Sequence, residues 1–343
     1  FTNSLKRSKL MNDMCLSRRS RAVFILDYLK KNSDEQHPVD AAELVRAMEA
    51  LGFNSERKAI YEDIKALQDM GYDIIHTYDS GNGYFIGTRE FEIPEIYLLI
   101  DAVQSASFIS PSKTRGLVSK LQGMVSRHEA DSMLGRVCIE NRGKCSNEAV
   151  YRVINDLNEA IFRTRQVEIG YTRHILSGGG LDSETKEMTV NPYALMWDSD
   201  HYYFIGNNAK YDNLTHLRID RISSVKILKT EARHFGEVSE YAQRFDTADY
   251  ARKTFNMFGG ELQRIDLECD VSLLDQMLDK FGTEIMIRHE SDAPSFRFST
   301  DAIVSDGLVG WLMQFGGRVK VLSPKTLKSN VAARIDELKK AYE

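Results

Sequence analysis

The sequence predicts an α+β protein of several domains, and three observations carry that reading. The chain has 343 residues, more than one ordinary hydrophobic core organises, so two or three domains are expected. Its apolar spacing changes from helical to alternating near Val167. Beyond residue 261 the pattern runs strand, helix, strand, strand, helix, strand, helix, the order of a ferredoxin-like fold.

Composition narrows the class. A charged fraction of 28% and a mean hydropathy of −0.37 describe a soluble globular chain. No run of about 18 apolar residues offers a membrane span. The chain opens on Phe1 rather than Met, which leaves its native start open, and no charged-then-apolar leader points to secretion. Cys15, Cys138, Cys145 and Cys269 are scattered and form no CxxC pair or Cys/His set. They read as reduced thiols of a cytoplasmic protein, with no metal and no cofactor. Net charge is −5, yet residues 1–32 carry eight basic residues against Asp13 and Asp27. A basic end on an acidic chain is a solvated tail or an arm for phosphates.

The N-terminal elements follow in order. "RRSRAVFILDYLKKN" places Val23, Leu26 and Leu29 at helical spacing, with Phe24 and Tyr28 beside them. "VDAAELVRAMEALGF" places Leu44, Ala47, Met48 and Leu51 on one stripe, with Asp40 as N-cap and Gly52 as the stop. In "NSERKAIYEDIKALQDMGYDI", Ser55 or Asn54 caps a third helix whose buried stripe is Ile60, Ile64 and Leu67. Arg57, Lys58, Tyr61 and Lys65 lie off that stripe, where a helix-turn-helix meets bases and phosphates. Glu56, Glu62 and Asp63 oppose phosphate if they face outward. "DIIHTYDSGNGYFIG" reads as two strands joined at Asn82-Gly83. Three helices and a hairpin make a winged helix. The DNA-contacting set is Asn54, Ser55, Arg57, Lys58, Tyr61, Lys65 and Asn82.

"SERKAIYEDIKAL" resembles the recognition helix of bacterial winged-helix regulators, whose usual pattern is Ser-x-Arg-Thr-Ile-x-Arg-Asp-Ile. Ser55, Arg57, Ile60, Asp63 and Ile64 fit it, while Lys58, Ala59 and Glu62 depart from it. Glu62 stands where a basic residue is frequent, which removes one phosphate contact.

Helical segments "IPEIYLLIDAVQSASFI" and "SKTRGLVSKLQGMVSRH", parted by "SPS", form a linker, and "EAVYRVINDLNEAIFRTRQ" leads into the strands. "VEIGYTR", "MTVNPYALMWDSD", "HYYFIGNN", "THLRIDRI" and "SSVKILKT" are five short strands, the set of a small bent barrel. "LSGGGLDSETKE" is a Gly-rich loop between the first two, without the order of a P-loop. On the fourth strand alternation gives His216, Arg218 and Asp220 one face and Arg221 the other. Arg221 then pairs with a carboxylate beneath the barrel, or a bend turns it outward. Arg218, His216 and Tyr203 suit a phosphate and a stacked base, and Tyr193 packs in the core or lines the site.

"VNPYALMWDSDHYYFIGNN" followed by "HLRIDRI" resembles the WYL domain of bacterial transcription regulators. Its Trp-Tyr-Leu triplet corresponds to Tyr202, Tyr203 and Phe204, and Asn191-Pro192-Tyr193 with Arg218, Asp220 and Arg221 match well. The C-terminal stretch resembles the extension that commonly follows that domain. The resemblance implies an Sm-like barrel that senses a nucleotide or single-stranded nucleic acid through Tyr193, Tyr203, His216, Arg218 and Arg221.

The expected organisation is a winged helix-turn-helix with a basic arm (1–88), a helical linker (89–146), the barrel with its leading helix (147–230), a connector (231–261) and a ferredoxin-like extension (262–343). Trp311 is core or interface of the last domain, which dimerises the chain or closes over a neighbouring ligand. The expected function is a homodimeric, ligand-responsive regulator on a double-stranded DNA operator, with no membrane partner and no enzymatic activity. The alternatives are a nucleic-acid-processing enzyme, for which His216, Asp220 and Arg218 are the concentrated candidates, and an RNA-binding barrel protein.

Overall fold

The computed structural model describes residues 18–52, 55–79, 81–133, 143–198 and 200–343. The chain divides between Lys144 and Cys145 into two units, each with its own cores. The basic residues before Arg18, and Asn54, lie outside the described residues.

The first unit begins with helices α1 (Arg18–Asn32), α2 (Ala41–Glu49) and α3 (Arg57–Asp69), then the antiparallel strands β1 (Ile74–Thr77) and β2 (Gly83–Ile86). Ile25, Leu29, Leu44, Met48, Ile60, Ile64 and Leu67 meet in one core with Ile74 and Ile86. Val23 is not part of it: the residue is 67% exposed. The stripe of α1 runs instead through Ile25 and Leu29 at i, i+4, and Val23 sits about 200° around the helix from Ile25. Leu51, past the end of α2, is also exposed.

Asp40 caps α2 as expected, accepting from the Glu43 amide at 2.6 Å. The expected side-chain cap of α3 is not formed by Ser55. Glu56 holds the N-cap position without a capping bond, and Ser55 is buried one residue earlier. The hairpin turn is also displaced. Strand β1 ends at Thr77, and Gly83 is already in β2, opposite it. Close approach demands glycine there: a β-carbon would lie 2.9 Å from the Val39 carbonyl carbon. Val39 pairs with Tyr84 in an isolated bridge beside the hairpin.

Asp63 points inward rather than outward. Its carboxylate accepts from Arg21 Nε on α1, with both side chains largely buried. Helices α4 (Ile93–Ser105), α5 (Pro111–Gln122) and α6 (Arg127–Met133) complete the unit around Ile96, Ile100, Val118, Val125 and Met133. Arg89 reaches the Lys30 and Ser33 carbonyls, and Ser126 donates to Asp34 at 2.6 Å.

The second unit opens with α7 (Val150–Phe162), which packs across a five-stranded antiparallel sheet. Its strands are β3 (Arg165–Ser177), β4 (Gly180–Asp198), β5 (His201–Asn208), β6 (Thr215–Arg218) and β7 (Ile222–Glu231), in the order β6-β5-β4-β3-β7. Two expectations fail here. "LSGGGLDSETKE" is not a loop: only Gly178 and Gly179, both at positive φ, separate two long strands. Two consecutive left-handed residues are what a tight hairpin turn requires. Beyond Tyr171 and before Met188 these strands pair only with each other, forming an arm exposed on both faces, with Leu176 and Leu181 at its tip. Second, "THLRIDRI" is a strand only to Arg218; Ile219–Arg221 is a 3-10 turn.

A connector follows, carrying α8 (Thr247–Lys253). The chain ends in β8 (Glu261–Asp270), α9 (Leu274–Phe281), β9 (Ile287–His289), β10 (Ser295–Val304), α10 (Asp306–Met313), β11 (Val319–Ser323) and α11 (Lys325–Tyr342). The element order is the expected one, and the sheet is antiparallel in the order β11-β8-β10-β9. One face buries Ile265, Leu267, Cys269, Phe296 and Phe298 under the helices, where Trp311 packs against Phe255 and Phe281. The other face is open.

The Arg21–Asp63 pair yields a prediction. Asp63→Ala strands a buried guanidinium and destabilises the first unit by about 1–3 kcal/mol. Hydrogen exchange of the α3 amides measures it; unchanged protection would show that α3 docks through its apolar stripe alone.

Candidate nucleic-acid interface and effector site

Helix α3 separates its residues sharply by face. Ile60, Asp63, Ile64 and Leu67 are buried, while Arg57, Lys58, Tyr61 and Lys65 are exposed. Glu56 and Glu62 are exposed as well, and Asn82 is exposed in the hairpin connection. The hairpin adds aromatic side chains that the sequence reading did not include. The Tyr84 ring lies 6.4 Å from Tyr61 and 4.6 Å from His76, and His76 lies 4.5 Å from Tyr78. Burial and the neighbouring phenols of Tyr61 and Tyr78 push the Tyr84 phenol up, so it stays a neutral donor. The signal was present: His76 and Tyr84 are register partners. A turn placed at Asn82-Gly83 shifts that register and hides the pair.

In the five-stranded sheet the 3-10 turn decides the geometry. It brings Asp220 back onto Arg218, with Nε to Oδ1 at 3.0 Å and Nη2 to Oδ2 at 2.6 Å. That bidentate pair raises the Arg218 pKa, and both side chains are largely buried. Tyr203 is the cross-strand partner of Arg218. His201 stands edge-on to Tyr203 at 6.1 Å, and burial, then the nearby Arg218 charge, lowers its pKa. Arg173 lies 5.7 Å over the Tyr171 ring. Arg221 is half-buried and has no ion-pair partner among the described residues. It falls in the turn, so strand alternation does not place it.

Tyr193 and His216 belong to a different environment. His216 Nε2 lies 2.7 Å from the Tyr250 hydroxyl, and the two rings stack at 5.8 Å. Burial pushes its pKa down to about 4, so the imidazole is neutral near pH 7. Tyr193 packs with Met196, Ile205, Phe245 and Tyr250. Its phenol is pushed up to about 12 by burial, and its hydroxyl meets no hydrogen-bond partner among the described residues. Tyr203 packs against the edge of this same cluster. His201, Tyr171 and Arg173 carried no motif in the sequence; only the pairing of β3, β4 and β5 assembles them.

The WYL domain family matches residues 152–227, from α7 into β7, and the WCX domain family matches residues 261–339, from β8 into α11. The two matches give this chain a WYL domain followed by a WCX domain. It is 22% identical over 323 residues to an uncharacterized HTH-type transcriptional regulator, YobV, of Bacillus subtilis (strain 168), covering 89% of this chain and 94% of that one. Among solved structures, it is similar to proteasome accessory factor B/C of Arthrobacter aurescens at 16% identity and a TM-score of 0.26. That match covers 93% of this chain, which spans 46% of that one. A CRISPR Cas-related protein matches at 13% identity and a TM-score of 0.34, over 98% of this chain and 90% of that one. No described helix is long and apolar enough to cross a membrane.

Within the WYL domain, Asn191 of the Asn-Pro-Tyr stretch is structural. Its buried carboxamide oxygen accepts from Gln166 Nε2 at 2.9 Å and from the Arg233 amide at 3.0 Å, and its nitrogen donates to Asn207 Oδ1 at 3.0 Å. Asn207 in turn donates to the Tyr211 and Asn213 carbonyls. The triplet position Phe204 is fully buried, while Tyr203 beside it is half-exposed toward Arg218.

His216 makes the WYL domain acid-sensitive. Its folded pKa lies below the unfolded value near 6.5, so the unfolded state binds more protons between about pH 4 and 6.5. Stability is full above that window and falls through it on acidification, by up to about 3 kcal/mol. His216→Asn flattens that stretch of the stability-against-pH curve; an unchanged slope would place the titration elsewhere.

Proposed function

We propose that this WYL-domain regulator binds operator DNA through a winged helix-turn-helix in its first unit. In this reading the WYL domain is an Sm-like barrel that senses a nucleotide or single-stranded nucleic acid. The modules are a winged helix (1–88), a helical linker (89–146), the barrel (147–230), a connector (231–261) and a ferredoxin-like domain (262–343), and the working species is a homodimer on a two-fold symmetric site. Support for the DNA-binding step comes from α3: its apolar stripe and Asp63 are buried while Arg57, Lys58, Tyr61 and Lys65 stand exposed together. Strand order supports the Sm-like reading, since a four-strand meander returns its fifth strand to the first. An enzyme would need a free base or nucleophile, whereas Asp220 is held by Arg218 and His216 by Tyr250.

For the effector, Arg221 is the guanidinium open to a phosphate and Tyr203 the ring open to a base. Arg218 joins only when a ligand displaces Asp220, so ligand binding and breaking of the Arg218–Asp220 pair are one event. That exchange is the two-state element through which an effector shifts the regulator.

Two outcomes test this. Arg57→Ala with Lys58→Ala weakens retention of genomic DNA fragments, and the slope of log affinity against log salt falls by about 0.9 per lost phosphate contact. Binding with an unchanged slope would remove α3 from the interface. Arg221→Ala weakens binding of a single-stranded oligonucleotide about tenfold while duplex binding persists. A folded Arg221→Ala or Arg218→Ala protein that lost all duplex binding would end the division of labour between the domains.

A further inference from the structure

The open face of the C-terminal sheet carries an unbalanced row of charge. Register places Arg288 of β9, Arg297 of β10, Glu268 of β8 and Lys320 of β11 side by side across all four strands. Strands lie about 4.8 Å apart, so three cations share one row with one carboxylate. Glu268 is already taken: Arg297 grips it through Nε at 2.8 Å and Nη2 at 2.7 Å. Among the described residues neither Arg288 nor Lys320 has an ion-pair partner. Arg288 and Arg297 face each other directly, and like charges opposite one another destabilise a sheet.

The same arginines line a cleft. Arg264, Arg288 and Arg297 surround a space of about 330 Å³, with Ser299 as a hydroxyl wall and Met286 and Leu322 as an apolar one. Met286 is 76% exposed. Asp266 also borders the cleft. Its carboxylate accepts from the Ser299 hydroxyl on β10 and the Ser323 hydroxyl on β11. Among the described residues Arg264 has one ion pair, an exposed contact to Asp301 at 3.4 Å, the kind of pair worth little in water.

We propose that this face is a binding site for a phosphate-bearing small molecule, the oxyanion bridging Arg288 and Arg297 and the remainder of the ligand lying against Met286 and Leu322. Guanidinium forks match phosphate oxygens in pairs. An oxyanion between the two arginines turns a repulsive cross-strand pair into a clamp. The site is separate from the barrel's arginines and does not depend on the DNA-binding reading.

The test uses the full chain, with inorganic phosphate, pyrophosphate and AMP each compared against sodium chloride at equal ionic strength. Thermal unfolding and calorimetric titration are the readouts. The wild-type protein is expected to gain stability from the phosphates beyond chloride. Arg288→Gln, at an exposed position, is expected to be at least as stable as wild type in chloride and to bind about tenfold more weakly. Glu268→Gln frees the Arg297 fork and is expected to tighten binding. AMP binding more tightly than phosphate assigns the apolar wall a share in recognition; equal affinity places recognition on the oxyanion alone. Equal stabilisation of wild type and Arg288→Gln, or none in either, overturns the proposal.

Discussion

Two buried carboxamides, Asn191 and Asn207, hold the WYL domain in its observed shape. Neither is accessible to water, and an unbonded amide in that position costs several kcal/mol on apolar transfer scales. All their partners must therefore be present together: Gln166 on β3, the Arg233 amide in the connector, and the Tyr211 and Asn213 carbonyls in the loop before β6. The pairing of β4 with β5 shifts register between Pro192 and Ala194, next to this hub. Tyr193 thereby enters the aromatic cluster of the connector rather than an open site. The Asn191-Pro192-Tyr193 stretch thus fastens β4 to the segment that follows β7.

A second theme is the use of carboxylates to place arginines. Asp63 draws Arg21 into the first unit's core, and Asp220 folds back on Arg218. Each pair turns a charge inward and leaves other cations unpaired by it: Arg57, Lys58 and Lys65 exposed on α3, and the half-buried Arg221 in the 3-10 turn. A chain of net charge −5 thus presents positive faces locally. Overall balance governs solubility, while local placement governs which anions approach.

Much of this was legible in the sequence. The helices, the period change at Val167 and the βαββαβα order are encoded in apolar spacing, which reports directly on burial. The resemblance to a WYL domain rested on residues that occupy β4, β5, β6 and the 3-10 turn after it. What could not be read was set by pairing over distance. Gly83 lies in the strand rather than the turn, against Val39 far upstream. The His216-Arg218-Asp220 face dissolved because the chain leaves the strand at Ile219, and alternation holds only while a strand lasts. His216 found its partner in Tyr250, across the connector. His76 and Tyr84 surfaced only when the register was known.

The arm formed by residues 172–187 has a consequence for how such a domain changes over generations. Among the described residues it pairs with no other strand, and its side chains lie outside the core of the sheet. Lengthening or shortening it by matched residues on both strands leaves the Asn191 hub and the arginine turn untouched, at only a small entropic cost for a longer loop. Its tip can therefore change in length and contacts while the hydrogen-bonded hub that shapes the domain is left as it is.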